Sequence, residues 1–78
     1  MENAQGQHYR TDSIECIDAI RAALGKEGFI SYCRGNIIRY LWRIGKKDDP
    51  AVEAEKARVY GTWIINTICD QPLEKPHA

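Results

Sequence analysis

Six residues, GKKDDP at 45–50, end one helix and open another. Gly45 supplies the left-handed stop, Lys46 and Lys47 suit the negative end of a helix, and Asp49 caps the next helix with Pro50 at its first position. No β-hairpin signal, internal repeat or low-complexity tract competes with this helical reading.

Upstream, Asp12 and Glu15 have the spacing of a reciprocal capping box, and Ile14, Ile17, Ile20 and Leu24 follow at helical intervals until Gly25. A first helix is therefore expected over about 13–24. A longer periodic run starts near Phe29. With Ile37 set at zero on a helical projection, Ile30, Cys33, Tyr40, Leu41 and Ile44 fall within about 60° of it, giving a second helix over about 28–44. The third, about 50–69, gathers Ala57, Tyr60, Trp63, Ile64 and Ile68 on one face and leaves Val59, Ile65 and Cys69 elsewhere. Residues 1–11 lack periodicity and read as an N-terminal arm, 12–70 as a single helical domain, and 71–78, rich in proline and charge, as a flexible tail. The expectation is an all-α, three-helix domain.

A domain of 78 residues is marginal alone, because it buries only about 60 to 65% of the surface its unfolded chain exposes. Its three cysteines, Cys16, Cys33 and Cys69, are odd in number and lack CxxC spacing, which fits a reducing compartment better than a disulfide framework. Self-association is the expected supplement. The second half of the third helix is apolar on more than one side and Trp42 projects away from the Ile37 face, so a homo-oligomer is expected with Trp42, Ile65 and Cys69 near the subunit contacts. No leader-like opening and no apolar run near the roughly 18 residues of a membrane span is visible, so the expected location is the cytoplasm, with no membrane partner.

Formal net charge is zero, yet residues 28–47 sum to +5 while every flanking stretch is mildly acidic. On the same projection Tyr32, Asn36, Arg39 and Arg43 lie between about −100° and −160°, with Lys46 near 180°. Besides an acidic protein partner, two accounts fit this stripe. In one, the acids Asp18, Glu53 and Glu55 neutralise its cations. In the other, Arg forks take phosphate oxygens, Lys46 and Lys47 add point charge, and Tyr32 or Tyr40 stacks on a base. Asn36, at the border of the apolar face, is either a satisfied structural amide or a base reader. Gly35 inside a helix costs about 1 kcal/mol relative to Ala, which close approach of another backbone or a ligand would explain.

Other chemistry finds little support. His8 and His77 have no metal-ligand spacing with any Cys, Asp or Glu, so no metal is expected. Cys33 reads as a small core residue and not as a nucleophile. Glu53 and Lys56 fall on the Tyr60 face of the last helix, where they either form an internal ion pair or line a pocket. Neither a Walker A motif nor GxGxxG occurs, which excludes conventional phosphate-loop chemistry.

The segments HY at 8–9, IECIDAI at 14–20, CRGNIIRYLWRIGKKDDP at 33–50 and EKARVY at 55–60 resemble the SaV-like family of small bacteriophage and prophage proteins. Arg39 stands where that family usually has Lys, and Ala54-Glu55 replaces an Asp-Leu pair. The family includes a coliphage nucleotide kinase that works without a Walker motif, so the resemblance implies a nucleotide as the ligand class, and the expected partner is a nucleotide or cyclic oligonucleotide. It offers His8, Tyr9, Asn36, Arg39, Tyr40, Arg43, Lys46, Lys47 and Lys56 as binding residues, beside Tyr32 from the spacing. The first expectation is an anti-defence sponge that sequesters a nucleotide immune signal and needs no cofactor. The alternative is a nucleoside monophosphate kinase, which would require ATP and Mg²⁺. A nucleic-acid or host-protein binder ranks third, because zero net charge argues against long-range attraction to a polyanion.

Overall fold

The computed structural model describes residues 15–47 and 49–75. Two helices, α1 (Cys16–Arg43) and α2 (Pro50–Ile68), make up the regular structure, and no strand occurs among the described residues. The all-α class therefore holds, but the count of three helices does not. Gly25 does take the left-handed backbone expected of it (φ 77°, ψ 175°), yet Lys26 returns at once to helix, so α1 kinks where a break was expected. The reason lies in the packing. Ile17 and Ile20 before the kink and Phe29 and Cys33 after it all bury against one cluster, so the chain gains by continuing along α2. Asp12, of the expected capping box, lies outside the described residues; Glu15 occupies the N-cap of α1 and makes no side-chain capping bond.

The GKKDDP connection behaves as its residues dictate. Gly45 has φ 82°, the amide of Lys46 donates to the carbonyl of Arg43 at 2.9 Å, and the Asp49 carboxylate accepts from the amide of Ala51 at 2.8 Å with Pro50 opening α2. The turn lays α2 antiparallel on α1, so that Arg43 meets Glu53, Tyr32 meets Tyr60 and Arg21 meets Thr67.

The core is small: Phe29, Cys33, Trp63 and Leu73, with Ile17, Ile20, Tyr32, Val59, Tyr60 and Ile64 half-buried around it. Complete burial of Phe29 stabilises the pair by about 1.5 to 3 kcal/mol. Leu73 reaches the core because residues 71–75 turn back across α2. The Trp63 indole donates to the carbonyl of Glu74 at 2.6 Å, the Glu74 amide donates to Asn66 Oδ1 at 2.9 Å, and Lys75 pairs with Asp18 at 2.8 Å. Asn66 and Thr67 are therefore buried, while Ile68, assigned from the sequence to the apolar face, is exposed.

The buried side of α1 is rotated from its apolar side. Phe29, Cys33 and Asn36 face α2 with Tyr40 and Arg43 half-buried beyond them, whereas Ile38 (62%), Leu41 (50%) and Trp42 (72%) face outward. The inward direction lies about 80° from the Ile37 centre, on the flank that carries the cation stripe. No described helix is long and apolar enough to cross a membrane.

Candidate functional site

The rotation of α1 turns an aromatic row toward α2. Phe29 stacks on Tyr32 (centroids 5.8 Å apart), and Tyr32 meets the edge of Tyr60 at 6.1 Å. Tyr60 then makes an edge contact with Trp63 at 5.1 Å and stacks on Tyr40 at 5.8 Å with an interplanar angle of 20°. Burial and the neighbouring Tyr32 push the Tyr60 phenol up to about 12, so it stays protonated at any physiological pH. Burial likewise lifts the Cys33 thiol to about 11, which leaves it inert as a nucleophile.

Tyr40 ends the row, and three cations converge on its ring. The Arg39 and Arg43 guanidiniums lie 5.6 and 5.5 Å from its centroid, and the Lys56 ammonium approaches from α2 at 5.5 Å. Each contact is worth about 0.5 to 2 kcal/mol depending on hydration. Three like charges on one ring repel one another, so the arrangement favours an anion placed among them. Asn36 fixes one member: its amide donates to the Tyr32 carbonyl at 3.0 Å and its Oδ1 accepts from Arg39 at 2.6 Å. Both ends of that amide are thus engaged within α1, which makes Asn36 a positioning residue for Arg39.

One carboxylate enters the cluster. Glu53 is completely buried, with Oε2 3.7 Å from Arg43 Nη2, an ion-pair distance too long for a hydrogen bond. Among the described residues, neither of its oxygens has a hydrogen-bond partner. The other two acids considered pair elsewhere. Asp18 pairs with Lys75, and Glu55 pairs with Arg58 one turn away at 2.6 Å, which holds the Glu55 carboxyl below its usual range.

Of the residues singled out in the sequence, Tyr32, Asn36, Arg39, Tyr40, Arg43 and Lys56 come together here. Lys46 lies instead over the exposed Trp42 ring at 5.5 Å, and Lys47 is exposed in the turn. His8 and Tyr9 lie outside the described residues. Tyr60 and Glu53 were not counted as site residues, although Glu53 carried a readable signal, a carboxylate one turn before Ala57 and two before Tyr60 on the buried face. A cavity of about 300 Å³ lies at the other end of the helix pair, lined by Arg21, Lys26, Thr67 and Asp70, with Lys26 and Asp70 paired at 3.0 Å. An added Cβ at Gly35 would meet nothing within 4 Å, so no other segment among the described residues approaches it.

A family model described as a protein of unknown function, DUF3310, matches residues 3–62, which span α1, the turn and the first two-thirds of α2. The chain belongs to the DUF3310 family. Two curated proteins resemble this DUF3310 chain. The gene 1.7 protein of Enterobacteria phage T3 is 39% identical over 57 residues, 68% of this chain and 35% of that protein. The nucleotide kinase gp1.7 of Escherichia phage T7 is 44% identical over 45 residues, 56% of this chain and 23% of the kinase. The chain therefore spans about a third of the one relative and about a quarter of the other. No solved structure matches it. The family match covers the segments on which the resemblance to SaV-like proteins rests, and its own description assigns no activity.

Proposed function

We propose that this DUF3310 chain binds a nucleotide, with the phosphate held among Arg39, Arg43 and Lys56 and with Tyr40 as the ring beside it. The observation that carries the reading is the convergence of three cations, from both helices, on one tyrosine ring. The name of the phage T7 relative, a nucleotide kinase, supports the same ligand class. Lys46 and Lys47 in the adjoining turn add positive potential without needing contact. Self-association completes the proposal: Ile38, Trp42, Ile65 and Ile68 are 58 to 72% exposed, and a second copy covering them would sequester a phage-encountered nucleotide signal without altering it.

Phosphoryl transfer is the second reading, favoured by the relative's name and by the presence of a carboxylate, Glu53, among the cations. Incubation with nucleoside monophosphates and cyclic dinucleotides, with and without ATP and Mg²⁺, followed by denaturation and mass spectrometry, separates the two. Recovery of an intact bound nucleotide supports sequestration, and appearance of a diphosphate supports transfer. An empty protein at saturating nucleotide contradicts both. In sedimentation, Ile65→Glu is expected to shift the protein to a smaller species; an unchanged profile removes that face from the assembly.

A further inference from the structure

About five helical turns of α1 from Tyr40, the far end of the helix pair holds the cavity of about 300 Å³ lined by Arg21, Lys26, Thr67 and Asp70, large enough for a small molecule. Two left-handed residues shape it. Gly25 (φ 77°) bends α1 just before Lys26, and Asp70 (φ 57°) follows the end of α2. There the Gln71 amide donates to the Asn66 carbonyl at 2.8 Å and the Asp70 amide to the Thr67 carbonyl at 3.2 Å, the bonds of a Schellman turn. Glycine is the usual left-handed residue of such a turn because a Cβ is strained there. Among the described residues Asp70 alone adopts positive φ without being glycine. Its carboxylate meets Lys26 at 3.0 Å, but Lys26 is half-exposed and Asp70 largely exposed, and an ion pair so hydrated adds little stability. A strained acid that does little for the fold points to a task outside it.

The cavity has two poles of opposite sign. Arg21 and Lys26 make the positive wall, on α1. Arg21 Nη1 donates to the Gln71 carbonyl at 2.9 Å and lies 3.4 Å from Thr67 Oγ1, while its Nη2 and Nε have no partner among the described residues. The negative pole is Asp70 together with the C-terminal carbonyls of α2, whose last turn carries no basic residue. We propose that this cavity binds a small zwitterion, a free α-amino acid, whose carboxylate bridges Arg21 and Lys26 and whose ammonium rests on Asp70. A simple anion suits the positive wall and is repelled by Asp70; a simple cation meets the reverse. A molecule carrying both groups on one carbon inserts between Lys26 and Asp70 and replaces their single pair by two pairs of the right sign, one of them on a guanidinium fork suited to a carboxylate. The site is independent of the phosphate cluster at Tyr40.

The test is a titration of the isotope-labelled full chain followed by amide NMR. Glycine, L-alanine and L-glutamine are added singly, with acetate and methylammonium as probes of one pole each. At least one amino acid is expected to shift the amides of Arg21, Lys26, Thr67 and Asp70 saturably, with half-saturation about 10-fold or more below that of either single-pole probe, the equivalent of one further charge-assisted contact. Asp70→Gly relieves the left-handed strain, so it is expected to keep or raise the thermal midpoint while weakening amino-acid binding by about 10-fold or more. Lys26→Ala is expected to weaken binding in the same direction, and it decides with the single-pole probes if Asp70→Gly does not fold. Acetate or methylammonium as effective as the amino acids overturns the two-pole site. So does binding undiminished in the folded variants, or the absence of any saturable shift with the three amino acids.

Discussion

The two faces of α1 invert the usual relation between composition and burial. Its inner face carries Phe29 and Cys33 but also Asn36, Tyr40 and Arg43, while its outer face carries Ile38, Leu41 and Trp42. Aromatic rings explain the inner choice. Phe29, Tyr32 and Tyr40 interlock with one another and with Tyr60 and Trp63 in defined geometries, each such pair adding about 0.5 to 1.5 kcal/mol beyond area alone. The polar groups on that face travel with the rings at helical spacing. The price of the arrangement is an outer face of exposed aliphatics and one tryptophan, which a second copy is proposed to cover.

If the inner face holds the molecule together, its largest member should dominate. Phe29→Ala is expected to lower unfolding free energy by about 3 to 5 kcal/mol in a denaturant titration, enough to unfold much of a chain this small. A loss under about 1 kcal/mol would place the core elsewhere. Next comes Asn36→Ala, which removes the side-chain bond to the Tyr32 carbonyl and frees Arg39; about 1 kcal/mol is expected, and a neutral result would show that the amide is not a structural tie.

Alkaline pH probes the same face more gently. The folded state holds the Cys33 proton up to about 11 against an ordinary 9.0, and the Tyr60 proton up to about 12 against 10.0. Folded pKa values above the unfolded ones mean that this stabilisation is complete below pH 9 and is lost as pH rises, through 9 to 11 for Cys33 and 10 to 12 for Tyr60. The denaturation midpoint should therefore fall across that interval, and a midpoint flat between pH 9 and 11 contradicts the burial of the thiol. The outer face gives the smallest effect on the isolated chain: Ile38→Ala, at 62% exposure, is expected to change its stability by under about 0.5 kcal/mol at concentrations where the protein is monomeric.

The turn between the helices was legible because each of its residues has one backbone or capping role, and Gly45, Asp49 and Pro50 perform theirs. The orientation of α1 was not. Periodicity weights Ile37, Leu41 and Ile44 as heavily as the rings, so the centre of the apolar arc fell about 80° from the direction that packs. Gly25 was correctly read as left-handed, but whether such a residue stops a helix or bends it depends on what the next turn can bury, here Phe29 and Cys33. Leu73 had no local signal at all, since its burial depends on Asn66 and Trp63 receiving the backbone of Glu74. Within the site, the Arg and Tyr stripe was visible from spacing alone. The meeting of Lys56 with Tyr40 across the two helices required the antiparallel register, which spacing within one helix does not contain.

Lys56 offers the most direct test that the cations around Tyr40 hold phosphate. It is exposed and takes no part in the Asn36 bonds. Titration of a nucleoside monophosphate and its unphosphorylated nucleoside into wild type and Lys56→Ala should show affinity for the monophosphate falling by about 10- to 100-fold, the equivalent of one charge-assisted contact, with nucleoside affinity unchanged. Equal monophosphate affinity in the two proteins would contradict the assignment of this cluster as the phosphate site.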